Sequence, residues 1–310
     1  MSALIASTVL MVEPIRFGFN EETAVSNSFQ KRSEVLSQKA IQEQALAEFS
    51  NFVKCLENEG IEVIVIKDTV EPHTPDSIFP NNWFTSNSTG CLMTYPMATK
   101  NRSLERREDV LNLLIERYDY QLDRSLECFE EKGKFLEGTG SLLIDHFSKT
   151  VFVALSPRAD QIVLDEYLRK SGTKLVSFKA LGPKNELIYH TNVMLCIADE
   201  FAIIGADTII AEDRERVCAK LKGLGKELIF LTNEQVHEHF AGNMLQLQNQ
   251  KGEKFLVMSS RAKESLTSFQ MKQIASFENK IIDVPLSVIE ATGGGSARCM
   301  LAEIFNREAS

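Results

Sequence analysis

The stretch Glu137–Ala159, EGTGSLLIDHFSKTVFVALSPRA, decides how the rest of the chain is read. A polar residue opens it, a short apolar run follows, and after a turn a second apolar run ends in a small or polar cluster. Two short apolar runs about a polar turn predict a β-hairpin. The same pattern recurs in NWFTSNSTGCLMTYPMA from Asn82, in HTNVMLCIADEFAIIGADT from His190 and in NMLQLQNQKGEKFLVMSSRA from Asn243. A fifth copy, CMLAEIF from Cys299, supplies one strand only.

The five opening residues stand 55, 53, 53 and 56 positions apart. A near-fixed period marks a repeat architecture. Between the hairpins lie the helical patterns NRSLERREDVLNLLIERY, ADQIVLDEYLRKSG, DRERVCAKLKGLG and KESLTSFQMKQIASFE, each followed by a β-rich run among IEVIVIK, KLVSFK, ELIFLT and KIIDVPL. The unit is therefore strand, strand, helix, strand, five times over. The fifth hairpin lacks its second strand, and the N-terminal VLMVEP is available to supply it. Pairing the two ends closes a ring and removes exposed sheet edges. These features predict an α/β fold, a five-bladed pseudo-fivefold β/α propeller. Residues 1–310 then form a single catalytic domain, its blades closed by N- and C-terminal strands.

Equivalent positions in a ring converge near its axis. Here they are Asn82, Glu137, His190, Asn243 and Cys299, where a core would hold Leu or Val. A thiol, an imidazole and a carboxylate at one mouth match nucleophile, base and orienter. Cys299 would attack an electrophilic carbon, His190 would move protons, and Glu137 would orient His190 or meet the substrate. Taken singly, each has an ordinary use: a packed thiol, a hydrogen-bonded strand-end histidine, a glutamate at a solvated turn. Their shared ring position favours the joint reading.

The other signals are weaker. The net charge of −9 argues against general nucleic-acid binding. Six cysteines (Cys55, Cys91, Cys128, Cys196, Cys218 and Cys299) are scattered without a C-x-x-C pair, which disfavours a zinc ribbon or disulfide scaffold and favours a cytoplasmic setting. The apolar start ALIASTVLMV lacks a basic flank and is too short to span a bilayer, so it reads as a first strand, with no membrane partner. His237 and His239 in HEHF lack an evident third metal ligand and read as a solvated helix face. His73 and His146 read as loop or turn residues. GGGSARC lacks the lysine of a phosphate loop, so its glycines read as allowing close approach of a substrate to Cys299.

Taken together, PDSIFPNNWF, LEGTGSLL, YHTNVML and GGGSARCM resemble the pentein, or guanidino-group-modifying, superfamily of arginine deiminase, dimethylarginine dimethylaminohydrolase, agmatine deiminase and the amidinotransferases. With the N-terminal FGFNEETAVSNSFQ, the set is most similar to amidinotransferase-related citrulline-utilisation hydrolases. The resemblance implies a five-bladed propeller with a central active site and no metal or organic cofactor. It implies covalent catalysis through Cys299, with His190 as acid/base and Glu137 as the carboxylate. Asp76 matches a substrate-contacting position of the dimethylarginine enzymes.

Two departures bear on the substrate. Asn82 and Asn192 stand where guanidine-binding relatives carry Asp. An unpaired buried guanidinium costs several kcal/mol, whereas a neutral ureido group can accept from an Asn amide as well as donate to it. Citrulline, cleaved to ornithine, is therefore favoured over arginine. Arg102 is the leading candidate to clamp the substrate carboxylate, with Arg298 second. Asn243 completes the polar ring, and Phe19, Asn20 and Asn27 lie in a candidate lid. An amidinotransferase, an arginine deiminase-type enzyme or a non-enzymatic ring-shaped binding protein remain as alternatives. The expected partner is a small amino-acid substrate, and homo-oligomers are left open.

Overall fold

In a computed structural model, which describes residues 4–307, the repeat becomes five three-stranded sheets, each flanked by helices. The strands are β1 (Thr8–Glu13), β2 (Glu62–Lys67), β3 (Phe84–Ser86), β4 (Cys91–Thr94), β5 (Gln121–Asp123), β6 (Leu143–Asp145), β7 (Thr150–Ala154), β8 (Lys174–Phe178), β9 (Leu195–Ile197), β10 (Phe201–Ile204), β11 (Glu227–Phe230), β12 (Leu245–Gln248), β13 (Lys254–Ser259), β14 (Lys280–Val284) and β15 (Ala302–Ile304). The sheets order as β3-β4-β5, β6-β7-β8, β9-β10-β11, β12-β13-β14 and β15-β1-β2. In each, the first pair is antiparallel and the second parallel. A tight turn serves an antiparallel pair, but a parallel pair needs a crossover, which the helices supply. This is the pseudo-fivefold propeller expected from the period.

β1 pairs with β15 in the register Thr8↔Ile304, Val9↔Glu303 and Leu10↔Ala302. On its other side β1 runs parallel to β2. The sheet so made joins the beginning of the chain to its end, and Cys299 lies three residues before it.

Three details differ from the sequence reading. IEVIVIK does not follow the 101–118 helical pattern; it is β2, and it follows a helix over Gln38–Asn58 that the sequence reading passed over. That helix buries Ile41, Ala45, Phe49, Phe52 and Leu56, one apolar stripe at helical spacing. The strand that does follow 101–118 is the three-residue QLD of β5, too short and polar to register as an apolar run. The segment 263–278 is also broken: Thr267 caps a new helix, Ser268–Ala275, with a reciprocal bond to Gln270.

Thirdly, the openers do not begin strands. Asn82 ends a helical turn, Pro80–Asn82; Glu137 and His190 precede the turns Gly138–Ser141 and Thr191–Val193; Cys299 lies within Ala297–Met300. Side chains on a strand alternate between sheet faces, so a turn before the strand frees the polar side chain to point elsewhere. No helix among the described residues is long and apolar enough to cross a membrane.

Candidate active site

The helical turns pack against one another, Gly138–Ser141 against both Pro80–Asn82 and Thr191–Val193, and Pro80–Asn82 against Ala297–Met300. Cys299 is 4% exposed. Asn243 Nδ2 donates to its Sγ at 3.2 Å and Asn192 Nδ2 at 3.5 Å. The Arg298 backbone N–H donates to Asn243 Oδ1 at 3.0 Å, which turns the Asn243 amino group toward the sulfur. Asn243 Nδ2 also donates to the Asn192 carbonyl at 3.0 Å, tying the two amides together. Burial pushes the Cys299 thiol up, against these donors and Arg298, so the resting group is the neutral thiol.

His190 Nε2 lies 2.7 Å from Glu137 Oε2, with both side chains buried. Burial alone would raise the Glu137 pKa, but Arg158, His190 and Arg102 together hold it well below the usual carboxylate range. Burial lowers the imidazole to about 4, against the pull of Glu137. An ionised carboxylate can only accept, so Nε2 carries the hydrogen and Nδ1 is left as a bare acceptor. The pair is thus a carboxylate orienting a neutral base.

Asn82 is set by charge. Arg102 Nη1 donates to Asn82 Oδ1 at 2.6 Å, while Glu105 grips the same guanidinium twice, at 2.9 and 2.8 Å. Guanidinium has no acceptor, so it selects the Asn82 oxygen and leaves Nδ2 facing the other way. A Cβ at Gly140 would fall 2.4 Å from Asn82 Nδ2 and 2.8 Å from His190 Nδ1. Only glycine fits between those two groups.

Asp76 is buried beside them. Asn20 Nδ2 and Thr23 Oγ1 donate to its Oδ2 at 2.7 and 2.9 Å, and burial raises its pKa against Arg102 and these donors. Asn20 and Thr23 belong to the polar N-terminal segment, where Asn20 also caps the short helix Glu21–Ala24. Farther along, Asn27 Nδ2 donates to the carbonyls of Gly293 and Gly294 at 3.4 and 3.3 Å. Phe19 does not join these contacts; Arg32 covers its ring at 4.9 Å from the centroid.

The structure therefore gathers Cys299, Asn243 and Asn192 in one group, Glu137 and His190 in a second, and Asn82, Asp76, Arg102 and Asn20 in a third. The guanidinium of Arg102 is engaged by Glu105, Asn82 and the Phe79 carbonyl at 3.0 Å, so it positions Asn82. Arg298 is held by the Leu301 carbonyl and Glu303, both at 2.8 Å.

Sequence reasoning missed Arg158. It is 2% exposed, with Nη1 3.4 Å from Glu137 Oε2 and its guanidinium over the Tyr189 ring. Its remaining donors reach Ser26 Oγ at 2.7 and 3.1 Å and the Thr23 carbonyl at 3.1 Å. The signal was present in SPRA, a lone arginine closing the second hairpin just as Arg102 follows the first.

Asp76 Oδ1, Asn82 Nδ2 and Asn192 Oδ1 are buried with no hydrogen-bond partner in the protein, as is Asn81 Oδ1 in the same turn as Asn82. Buried polar groups are rarely left unpaired, and each unmade bond costs about 1–3 kcal/mol.

The sequence matches the family model for N,N dimethylarginine dimethylhydrolase, eukaryotic, over residues 13–306. Among solved structures, the substrate-bound N-terminal domain of an arginine dihydrolase from the ornithine-ammonia cycle in cyanobacteria aligns with a TM-score of 0.74 at 16% identity, covering 97% of this chain and 98% of that one. The apo form of the longer enzyme aligns equally well at the same identity, but there the match spans 97% of this chain and 41% of that one. A dimethylarginine dimethylaminohydrolase adduct with S-methyl-L-thiocitrulline aligns at 12% identity with a TM-score of 0.65, covering 97% of this chain and 100% of that one. At such identities the likeness is one of fold. No curated protein matches the chain.

Proposed function

Because the chain belongs to the N,N dimethylarginine dimethylhydrolase family, within the guanidino-group-modifying pentein superfamily, we propose that it is a cysteine-dependent hydrolase. It cleaves a C–N bond in the guanidino or ureido group of an arginine-like amino acid, and its preferred substrate is citrulline. That preference aligns it with the citrulline-utilisation hydrolases.

The observation that carries this reading is the unpaired set Asp76 Oδ1, Asn82 Nδ2 and Asn192 Oδ1. A ureido group presents one carbonyl oxygen and several N–H donors, which match one donor and two acceptors. A guanidinium presents donors alone and would meet the Asn82 amino group donor to donor. The orientation of Asn82 follows from Arg102 and Glu105, so the mismatch cannot be relieved by a flip without breaking the bond to Arg102.

In the proposed sequence, the Cys299 proton passes to His190 Nδ1 as sulfur bonds to the ureido carbon. The bond from that carbon to the side-chain nitrogen of the amino acid breaks, and His190 returns the proton to that nitrogen. Ornithine leaves, with a thiocarbamate on Cys299. Water, giving a proton to His190, then attacks the thiocarbamate carbon; the C–S bond breaks, carbamic acid leaves, and the sulfur recovers its proton from His190. Glu137 holds the imidazole throughout. Arg158, next to Glu137, ties the polar N-terminal segment to this pair through Ser26 and the Thr23 carbonyl.

A second reading has its own support. The free Asp76 oxygen would balance a cation, and the arginine dihydrolase domain of the same fold is described bound to its substrate. Incubation with citrulline, arginine and agmatine, followed through ammonia and ornithine, separates the two. Citrulline turnover is expected to exceed that of arginine, and Asn82→Asp to lower it roughly 10- to 100-fold through the lost donor. Equal wild-type activity toward both amino acids would remove the ureido argument. Turnover persisting in Cys299→Ser would remove the covalent one.

A further inference from the structure

Between the helix Ser287–Gly293 and the turn Ala297–Met300 that holds Cys299 run two glycines and a serine, Gly294 to Ser296. Glycines bring no side chains to fix such a segment. Beside it sits Glu290, fully buried on the helix. Its Oε1 accepts from Ser296 Oγ at 2.6 Å, and its backbone carbonyl accepts from the Gly294 N–H at 3.0 Å. The Ser296 carbonyl in turn accepts from the Cys299 N–H at 3.0 Å. One residue therefore holds both ends of the glycine segment, and its side chain is one hydrogen bond from the residue that holds the nucleophile.

The cost of placing a carboxylate there is visible. Oε2 has no hydrogen-bond donor, and the Arg261 guanidinium stands 3.8 Å away. An apolar residue would avoid that cost, and the packing alone supplies no reason for the acid. What the acid supplies is an acceptor for Ser296. The loop is pressed from the other side by the Phe79 ring, since a Cβ at Gly293 or Gly295 would lie 2.8 Å from it.

We propose that Glu290 is a positioning residue for the nucleophile: through Ser296 it fixes the turn that presents Cys299 to Asn243 and Asn192. The proposal rests on Cys299 being the reacting thiol, but one arm of its test does not need a substrate. Loss of the tie frees the turn, so Cys299 becomes accessible while its productive geometry is lost.

The test compares Glu290→Ala, Ser296→Ala, their double variant and Glu290→Gln. Iodoacetamide labelling is read by peptide mass spectrometry at three thiols: exposed Cys128 as reference, Cys299 as reporter and buried Cys196 as a monitor of general unfolding. In Glu290→Ala, Cys299 labelling relative to Cys128 is expected to rise about tenfold, the scale of one lost hydrogen bond, with Cys196 unchanged. Ser296→Ala should match it, the double variant should add nothing, and Glu290→Gln, which keeps an acceptor, should stay near wild type. With citrulline as substrate, kcat should fall about tenfold at constant KM in the two alanine variants. Unchanged Cys299 labelling, labelling that rises in step with Cys196, or multiplicative effects in the double variant would each overturn the proposal. If wild-type protein turned over no citrulline, the functional reading would fall and the labelling arm would still decide the role of Glu290.

Discussion

At the scale of single residues, the site is built from groups whose titration is displaced from its ordinary range. Burial lowers His190 to about 4, while an exposed histidine titrates near ~6.5. Between those values the unfolded chain binds a proton that the folded chain refuses, so stability falls as the pH drops through that window. Glu137, held low by its guanidinium neighbours, adds a loss of the same sign once the pH falls through the usual carboxylate range. The histidine alone should cost about 3 kcal/mol between pH 7 and 4. His190→Gln keeps a donor for Glu137 and cannot titrate there. Urea unfolding across this range should show the wild type losing about 3 kcal/mol more than the variant; parallel profiles would refute the assignment. The residues of this pair were legible because the period placed Glu137 and His190 at equivalent positions. Arg158 and Glu105 carry no such mark, since what makes them functional is a partner: Thr23 and Ser26 for one, the Arg102 fork for the other. Nor could the sequence show that Arg102, read as a clamp on substrate, also holds Asn82 and Glu105 with the same guanidinium.

At the scale of elements, strands were readable and the connections between them less so. Apolar runs such as VFVAL announce buried strands, whereas QLD of β5 is placed by the ring rather than by its own composition. The helical turns before the hairpins span three or four residues each, below the length at which periodicity shows. Nor could the start of the helix Ser287–Gly293 be read, because its cap comes from another element. Glu48, on the helix Gln38–Asn58, accepts from the Val288 and Ile289 N–H groups at 2.9 and 3.0 Å and from Ser287 Oγ at 3.1 Å. A carboxylate there also complements the positive end of the helix. Glu48→Ala strands those N–H groups and should cost about 1–2 kcal/mol in urea unfolding at pH 7. A loss below about 0.3 kcal/mol would mean that water replaces the cap without penalty.

At the scale of the whole molecule, closure of the ring and placement of Cys299 are one event in the chain. β15 begins three residues after Cys299, and its pairing with β1 joins the two ends. Period analysis anticipated that pairing because the fifth hairpin was short of a strand. What it could not anticipate was how the join is fastened. Phe305, just beyond β15, is buried against the His146 ring at 4.7 Å between centroids. Its N–H donates to Ser86 Oγ at 3.1 Å, and its carbonyl accepts from the Tyr120 hydroxyl. The first blade thus grips the last. If closure positions Cys299, weakening it should impair turnover beyond its effect on stability. Phe305→Ala should cost about 3–5 kcal/mol, the usual range for a buried phenylalanine. Phe178, equally buried at the end of β8 but in a different core cluster from Cys299, is the matched control. Phe178→Ala should lose similar stability and keep its kcat wherever the protein is still folded. Phe305→Ala under the same conditions should show a lower kcat together with faster iodoacetamide labelling of Cys299. Equal kcat in the two variants would separate ring closure from nucleophile placement, and the Gly293–Ser296 segment would then have to act alone.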